Sequence, residues 1–489
     1  MLFNSIQFFI FFPAVAVLFF LLPHRFRWLL LLSASAIFYM AFVPKYILIL
    51  LTLGVIDFWA AKLIARSTGR RRLVFLWVSI ISTCAMLFVF KYFNFFVSNV
   101  NVLADFLGWN YRLQTLKLIL PIGLSFHTFQ SLSYVIEVYR GKQEVEPHFG
   151  IYFLYLIFFP QLVAGPIERP GNLLNQFRQE HYFDLPRIAN GLKLILWGLF
   201  KKVVIADGLA GAVSVVYSNP SAFDGLGLAL ATTFFAFQIY CDFSGYSDIA
   251  IGAAQVLGFR LMTNFNRPYA SQSVVEYWKR WHISLSSWFK DYLYIPLGGS
   301  RSGEWRWRFN IVVTFLISGV WHGANWTYVA WGLLNAFYLI IYSWTANARR
   351  QFAQMIGLDV RPGLLHCCRV GCTFFLIWIG GIFFRALTVS DAGLIIRNIF
   401  MPSMWRGLSG LQEVKSSLAA MGLEWSQFLL LVFFILVLEL VQLVQRDEDM
   451  RHLFSAKPLW FQWSFAYALI FTIGIFWGSV QMPFVYFQF

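Results

Sequence analysis

Two histidines are the groups best suited to move protons. His322 ends an apolar run and lies in the stretch Ile317, Ser318, Gly319, Val320, Trp321, His322, Gly323, Ala324, Asn325, Trp326. An imidazole in an apolar segment is costly in lipid unless it faces a cavity or a partner. The adjacent glycines leave room for a substrate or a second helix to approach. Histidine titrates near neutrality and is the usual general base. His322 can therefore take a proton from a hydroxyl attacking a thioester, or briefly carry the acyl group itself. A satisfied interhelical histidine is the competing assignment. Neither acyl route needs a metal or a bound cofactor.

His282 lies 40 residues earlier, in the stretch 274–292. Trp278, Trp281, Leu285, Trp288 and Tyr292 recur there at three- and four-residue steps, and Lys279, His282, Ser286 and Lys290 share a second stripe. The spacing predicts one amphipathic helix lying at the membrane interface. On it His282 is either a polar-face residue or a functional one. Beyond Pro296, the turn of Gly298 and Gly299 followed by Arg301, Arg306 and Arg308 is a candidate donor-binding site, since such turns meet phosphates. It has neither the GxxxxGK[ST] nor the GxGxxG pattern, so an ordinary cytoplasmic loop is the alternative. Asp242 and Asp248 sit in or beside an apolar run. Six residues apart, they point about 120° away from each other on a helix and are no acid–base pair. They are structural or tunnel-lining; Trp281, Trp321 and Asn325 are the other tunnel candidates. No GxSxG elbow, HExxH motif or Cys/His cluster is present, and the five cysteines form no CxxC pair. A serine-hydrolase triad, structural zinc and a disulfide framework are not expected.

Lipid must position these residues. The 489-residue chain is 59% hydrophobic and only 12% charged, far from the roughly 25% charge of soluble domains. Apolar runs near 5–22, 29–43, 46–64, 73–92, 117–136, 149–165, 189–206, 226–257, 309–321, 326–343, 370–388, 426–445 and 460–480 suggest about eleven to thirteen membrane segments, some re-entrant or interfacial. The first run has no basic leader and no AxA-like cleavage site, and reads as a retained span. Basic clusters at 25–27, 66–72 and 140–142 are separated by pairs of runs. All three can face the cytoplasm, with the N-terminus outside. That bias accounts for much of the +15 charge, and no soluble basic domain exists to bind nucleic acid. No repeat or linker divides the chain. The reading is a single polytopic membrane domain, 1–489, with a motif-bearing core at 240–345 and a polar insert at 401–425 carrying Lys415, Ser416 and Ser417.

Trp281, His282, Ile283 and Ser284, then Tyr292 to Ile295 with Gly298 and Gly299, resemble the membrane-bound O-acyltransferase family. Trp321, His322 and Gly323 are similar to that family's second histidine motif. The stretches 121–126, 159–167, 201–207 and 243–248 narrow the resemblance to the bacterial branch that contains the membrane subunit of alginate O-acetyltransferase. The resemblance spans nearly the whole chain. It implies an all-α fold of about eleven transmembrane helices, plus re-entrant ones, around a buried tunnel. It implies a catalytic role for His322, with His282 supporting it from the cytoplasmic side. It further implies a cytoplasmic thioester donor such as acetyl-CoA, delivery across the bacterial inner membrane, and a periplasmic or membrane-anchored acetyltransferase partner. The acceptor is then an extracytoplasmic polysaccharide: alginate-like, cellulose or peptidoglycan. Physical chemistry agrees, because a charged CoA cannot cross lipid whereas an acetyl group can be relayed through a tunnel.

Two other classes compete. A polysaccharide or lipid-linked sugar transporter calls for intramembrane charge pairs or matched broken helices in two halves, and no clear halves are visible. A scaffold has no need of a histidine beside glycines in an apolar segment.

Overall fold

The structure, a computed structural model, describes all residues except 164, 302, 403–409, 446–456, 479–483 and 486–489. Among the described residues the regular elements are helices, with no strand. Helices satisfy every backbone polar group internally, which lipid demands. Six are long and apolar enough to cross a bilayer: Pro44–Arg66, Arg70–Phe106, Gly225–Leu257, Pro362–Arg385, Trp425–Gln445 and Leu459–Phe476. Trp326–Trp344 and Ala346–Met355, bent by 62°, make a seventh if taken as one span. Other apolar runs of the sequence are divided. The run at 149–165 forms two short helices, Phe149–Ile157 and Phe159–Leu162, and the run at 117–136 becomes helical only from Leu124. The polar insert carries the helix Leu411–Ala420; its residues 403–409, like Ala164 of the 159–167 stretch, lie outside the described residues.

The chain forms two compact units. The first comprises Met1–Ile195 and Tyr246–Thr263. Its early basic loops meet at one end of the helices. Arg72 Nη2 donates to the Tyr139 carbonyl at 2.7 Å, Lys62 Nζ to that of Pro147 at 3.3 Å, and the rings of Trp28 and His148 are 4.7 Å apart. Within its core the fully buried Asp57 accepts hydrogen bonds from Ser79 Oγ at 2.5 Å, from Thr83 Oγ1 at 3.4 Å and from Ser131 Oγ. Three hydroxyls thus offset the cost of placing a carboxyl group inside an apolar bundle.

The second unit comprises Leu196–Gly245 and Asn264–Phe489, so the expected motif core is divided, with 246–263 in the first unit. Glu304–His322 and Trp326–Trp344 cross closely. A Cβ on Gly319 would lie 2.3 Å from the Tyr328 carbonyl oxygen, and one on Gly332 would lie 2.4 Å from that of Phe315. Only residues without a side chain permit this approach, the usual means of packing helices in lipid. Asn325 starts the second helix: its side chain accepts from Thr327 N at 3.0 Å and donates to the Leu387 carbonyl at 2.9 Å. In the same unit, a π-helical stretch, Phe200–Ala206, carries the buried Lys202. Its ammonium pairs with Asp242 at 2.5 Å and Asp207 at 2.9 Å, all three nearly buried. The other Asp242 oxygen accepts Val485 N at 2.7 Å. Removing one member of such a group typically costs about 3–5 kcal/mol, because a charge is left buried and unpaired.

Candidate active site

The spacing at 274–292 predicts one continuous helix, and the structure breaks it at the histidine. Val274–Arg280 ends at Trp281, and Ile283–Phe289 begins after His282. His282 has φ 43° and ψ 55°, the left-handed region that costs a non-glycine residue roughly 1–2 kcal/mol. Its carbonyl still accepts Leu285 N at 3.0 Å and Ser286 N at 2.9 Å, so helical turns resume at once. The break is confined to two residues, Trp281 in an extended conformation and His282 in the left-handed one, and it inserts no extra residue into the three- and four-residue spacing, so periodicity does not register it.

The His282 ring is 1% exposed. Nδ1 lies 3.0 Å from Asn264 Oδ1, and the ring meets Phe243 edge-on at 4.5 Å. Burial pushes the imidazole pKa down to about 3, so His282 is neutral at physiological pH.

His322 ends Glu304–His322 and is 5% exposed. The rings of Trp321, Trp331 and Phe384 surround it edge-on at 4.9, 5.0 and 5.2 Å. The close crossing at Gly319 and Gly332 sets where this helix end sits against its neighbour. Two cavities meet at His322. The larger, about 340 Å³, is lined by both histidines, by Trp278 and Trp281, and by Lys279 and Lys290. The smaller, about 50 Å³, is lined by His322 with Trp278, Trp281, Trp331, Asn335 and Phe384. His322 therefore belongs to a wall common to both, whereas His282 lines only the larger. A base in that position reaches a reactant held on either side.

Of the other residues singled out by sequence, Trp281 lines both cavities. Trp321 packs on His322 but lines neither, and Asn325 caps a helix. Asp242 is held in the Lys202 group, and Asp248 belongs to the first unit. Gly298, Gly299 and Arg301 line neither cavity. Their turn nonetheless adjoins the larger one, because Gly299 N donates to the carbonyl of Tyr294, a lining residue, at 2.9 Å. Sequence reasoning passed over Asn264, Trp331 and Phe384. Asn264 carried a signal: it is the first of two asparagines before Pro268 in a short polar run following a 33-residue helix. Trp331 and Phe384 resemble many other aromatic residues in apolar runs and carried none.

Residues 144–378 match the family model described as the membrane-bound O-acyltransferase family. A probable alginate O-acetylase of Pseudomonas aeruginosa is 36% identical over 439 residues, covering 89% of this chain and 81% of that protein. One from Azotobacter vinelandii is 36% identical over 410 residues, covering 83% and 79%. A peptidoglycan O-acetyltransferase of Helicobacter pylori is 34% identical over 429 residues, covering 82% and 76%.

Proposed function

This chain belongs to the membrane-bound O-acyltransferase family, and on that premise we propose that it moves an acetyl group from a cytoplasmic thioester across the inner membrane for O-acetylation of an extracytoplasmic polysaccharide. An alginate-like polymer is the favoured acceptor, after the relatives' names; peptidoglycan and cellulose are the others. Acyltransferase membership sets aside a transporter without acyl chemistry. The observation that carries the proposal is His322 in the wall common to two cavities.

The larger cavity receives the donor. Lys279 and Lys290 in its lining, with Arg301 and the Gly298–Gly299 turn beside it, suit an anionic donor such as acetyl-CoA. The thioester carbonyl is placed at His322. The acceptor hydroxyl, belonging to the polymer or to a periplasmic or membrane-anchored acetyltransferase, approaches from the smaller cavity. His322 takes the hydroxyl proton as the oxygen attacks. The C–S bond then breaks, a C–O ester bond forms, and His322 returns the proton to the departing thiolate. No metal takes part. The three basic clusters gathered at one end of the first unit support taking that end as the cytoplasmic face, and on this reading the N-terminus is periplasmic. About eleven spans, several of them shorter than a full crossing, complete the fold of this reading.

The test is His322→Ala, compared with the unaltered protein at equal membrane level, with label from an acetyl thioester followed onto polymer. A general base contributes about 10²–10⁴ in rate, and a loss of that size is expected. Full acetylation by the variant removes His322 from the chemistry.

A further inference from the structure

Asn264 gathers the residues around His282. Its Oδ1 accepts from Ser284 N at 3.2 Å and Ser284 Oγ at 3.0 Å, and lies 3.0 Å from His282 Nδ1. Its own carbonyl accepts Ile283 N at 2.9 Å. Two residues on, Asn266 N donates to the Arg280 carbonyl at 2.9 Å. The segment 264–266 thus grips the chain on both sides of the break. The helix Ile283–Phe289 receives no side-chain cap from His282, the residue that precedes it. Asn264, 18 residues earlier in the chain, satisfies its first two N–H groups instead.

This geometry has a chemical consequence. A backbone N–H only donates, so the Asn264 amide atom facing Ser284 N is oxygen and not the NH₂ nitrogen. That oxygen only accepts, so His282 Nδ1 must carry a hydrogen. A neutral imidazole has one N–H, so the lone pair is on Nε2. Both left-handed non-glycine residues of the described chain, Arg267 and His282, flank this grip. Such strain persists only where surrounding contacts hold it, and it gathers at functional sites.

We propose that Asn264 is a positioning residue: it holds His282 as the Nδ1–H tautomer, so that His282 meets the larger cavity as a hydrogen-bond acceptor through Nε2. In that state His282 has no proton to give from Nε2. It supports the reaction by accepting a hydrogen bond from the group that carries the migrating proton, a role that rests on the acyl-transfer reading above. The tautomer itself does not.

The test uses the full chain in lipid, labelled with ¹⁵N-histidine, with the His282 signals assigned by their loss in His282→Gln. Solid-state NMR is expected to find Nδ1 protonated and Nε2 bare. In Asn264→Asp the acceptor is kept and a carboxylate charge is added. The Nδ1–H tautomer should remain, and the His282 titration followed in the same ¹⁵N spectra should move upward by about one pH unit or more. In Asn264→Leu the tautomer preference should be lost and kcat should fall about 10–100-fold at unchanged donor KM. A wild-type protein with Nε2 protonated overturns the proposal. So does an Asn264→Leu variant that keeps Nδ1–H or the wild-type kcat. If the leucine variant fails to insert, the wild-type spectrum and the aspartate variant still decide. Nδ1–H in a wild-type protein without acyl transfer would leave the tautomer standing and count against the acyl-transfer reading alone.

Discussion

The two histidines of the larger cavity are one side chain in opposite settings. His282 is gripped by polar groups: Asn264 holds one nitrogen, and the ring is fixed at a backbone break. His322 is surrounded by the edges of three aromatic rings and lines both cavities. A group that passes a proton between two reactants must be reached from both sides. A group that only orients or accepts must keep one proton position throughout. The difference teaches that burial alone does not assign a role. Which cavities a ring touches, and what holds its second nitrogen, do.

The largest test of this contrast compares the two alanine variants. His322→Ala should lower acetyl transfer by about 10³-fold and His282→Ala by only about 10–100-fold. Initial rates at equal amounts of inserted protein measure both, and equal losses would erase the distinction. Next comes the helix crossing that places His322. In Gly319→Val the new Cβ would lie 2.3 Å from the Tyr328 carbonyl oxygen. Overpacking of this kind costs about 1–3 kcal/mol. The Tm should fall, and with it the rate by about tenfold, as expected when a reacting group is displaced. A variant with wild-type Tm and rate contradicts the tight crossing.

The third test is one of pH. Burial lowers the His282 pKa from 6.5 to about 3. Between those values the unfolded chain binds a proton that the folded chain does not. The stability tied to neutral His282 is therefore whole above about pH 6.5 and is lost as pH falls through the window towards 3. Thermal unfolding in detergent should show Tm dropping from pH 6.5 to 4, with a shallower slope for His282→Gln. Parallel slopes would mean that His282 is not buried neutral. The smallest effects belong to the cavity rim. Replacing both Lys279 and Lys290 with alanine should raise donor KM about 3–10-fold at unchanged kcat, less so at high salt. Arg301→Ala, at the adjoining turn, should raise it about twofold.

Much of this is legible in the sequence. Apolar length made the chain a helical membrane protein, His322 was conspicuous as an ionisable group ending an apolar run, and His282 stood on the polar stripe of an amphipathic segment as either a polar-face or a functional residue. Local spacing could not reveal the rest. The break changes the backbone of Trp281 and His282 alone and leaves the sequence spacing of Trp278, Trp281 and Leu285 unaltered. Asn264 acts on residues 18–20 positions away, and Lys202 on Asp242, 40 positions away. The first pairing arises where a non-helical segment meets a helix start and the second where two helical elements meet, and hydropathy encodes neither. Several apolar runs long enough to suggest spans are broken in the structure, because aromatic and aliphatic composition alone does not say where a helix must stop.

The central claim is that His322 joins a donor side to an acceptor side. Sealed inside-out vesicles, given labelled acetyl thioester outside and carrying polysaccharide and its acetyltransferase partner within, test it directly. Label should accumulate on lumenal polymer with the unaltered protein and stay at background with His322→Ala. Equal lumenal label in the variant, or label from the unaltered protein confined to the donor side, would contradict the account.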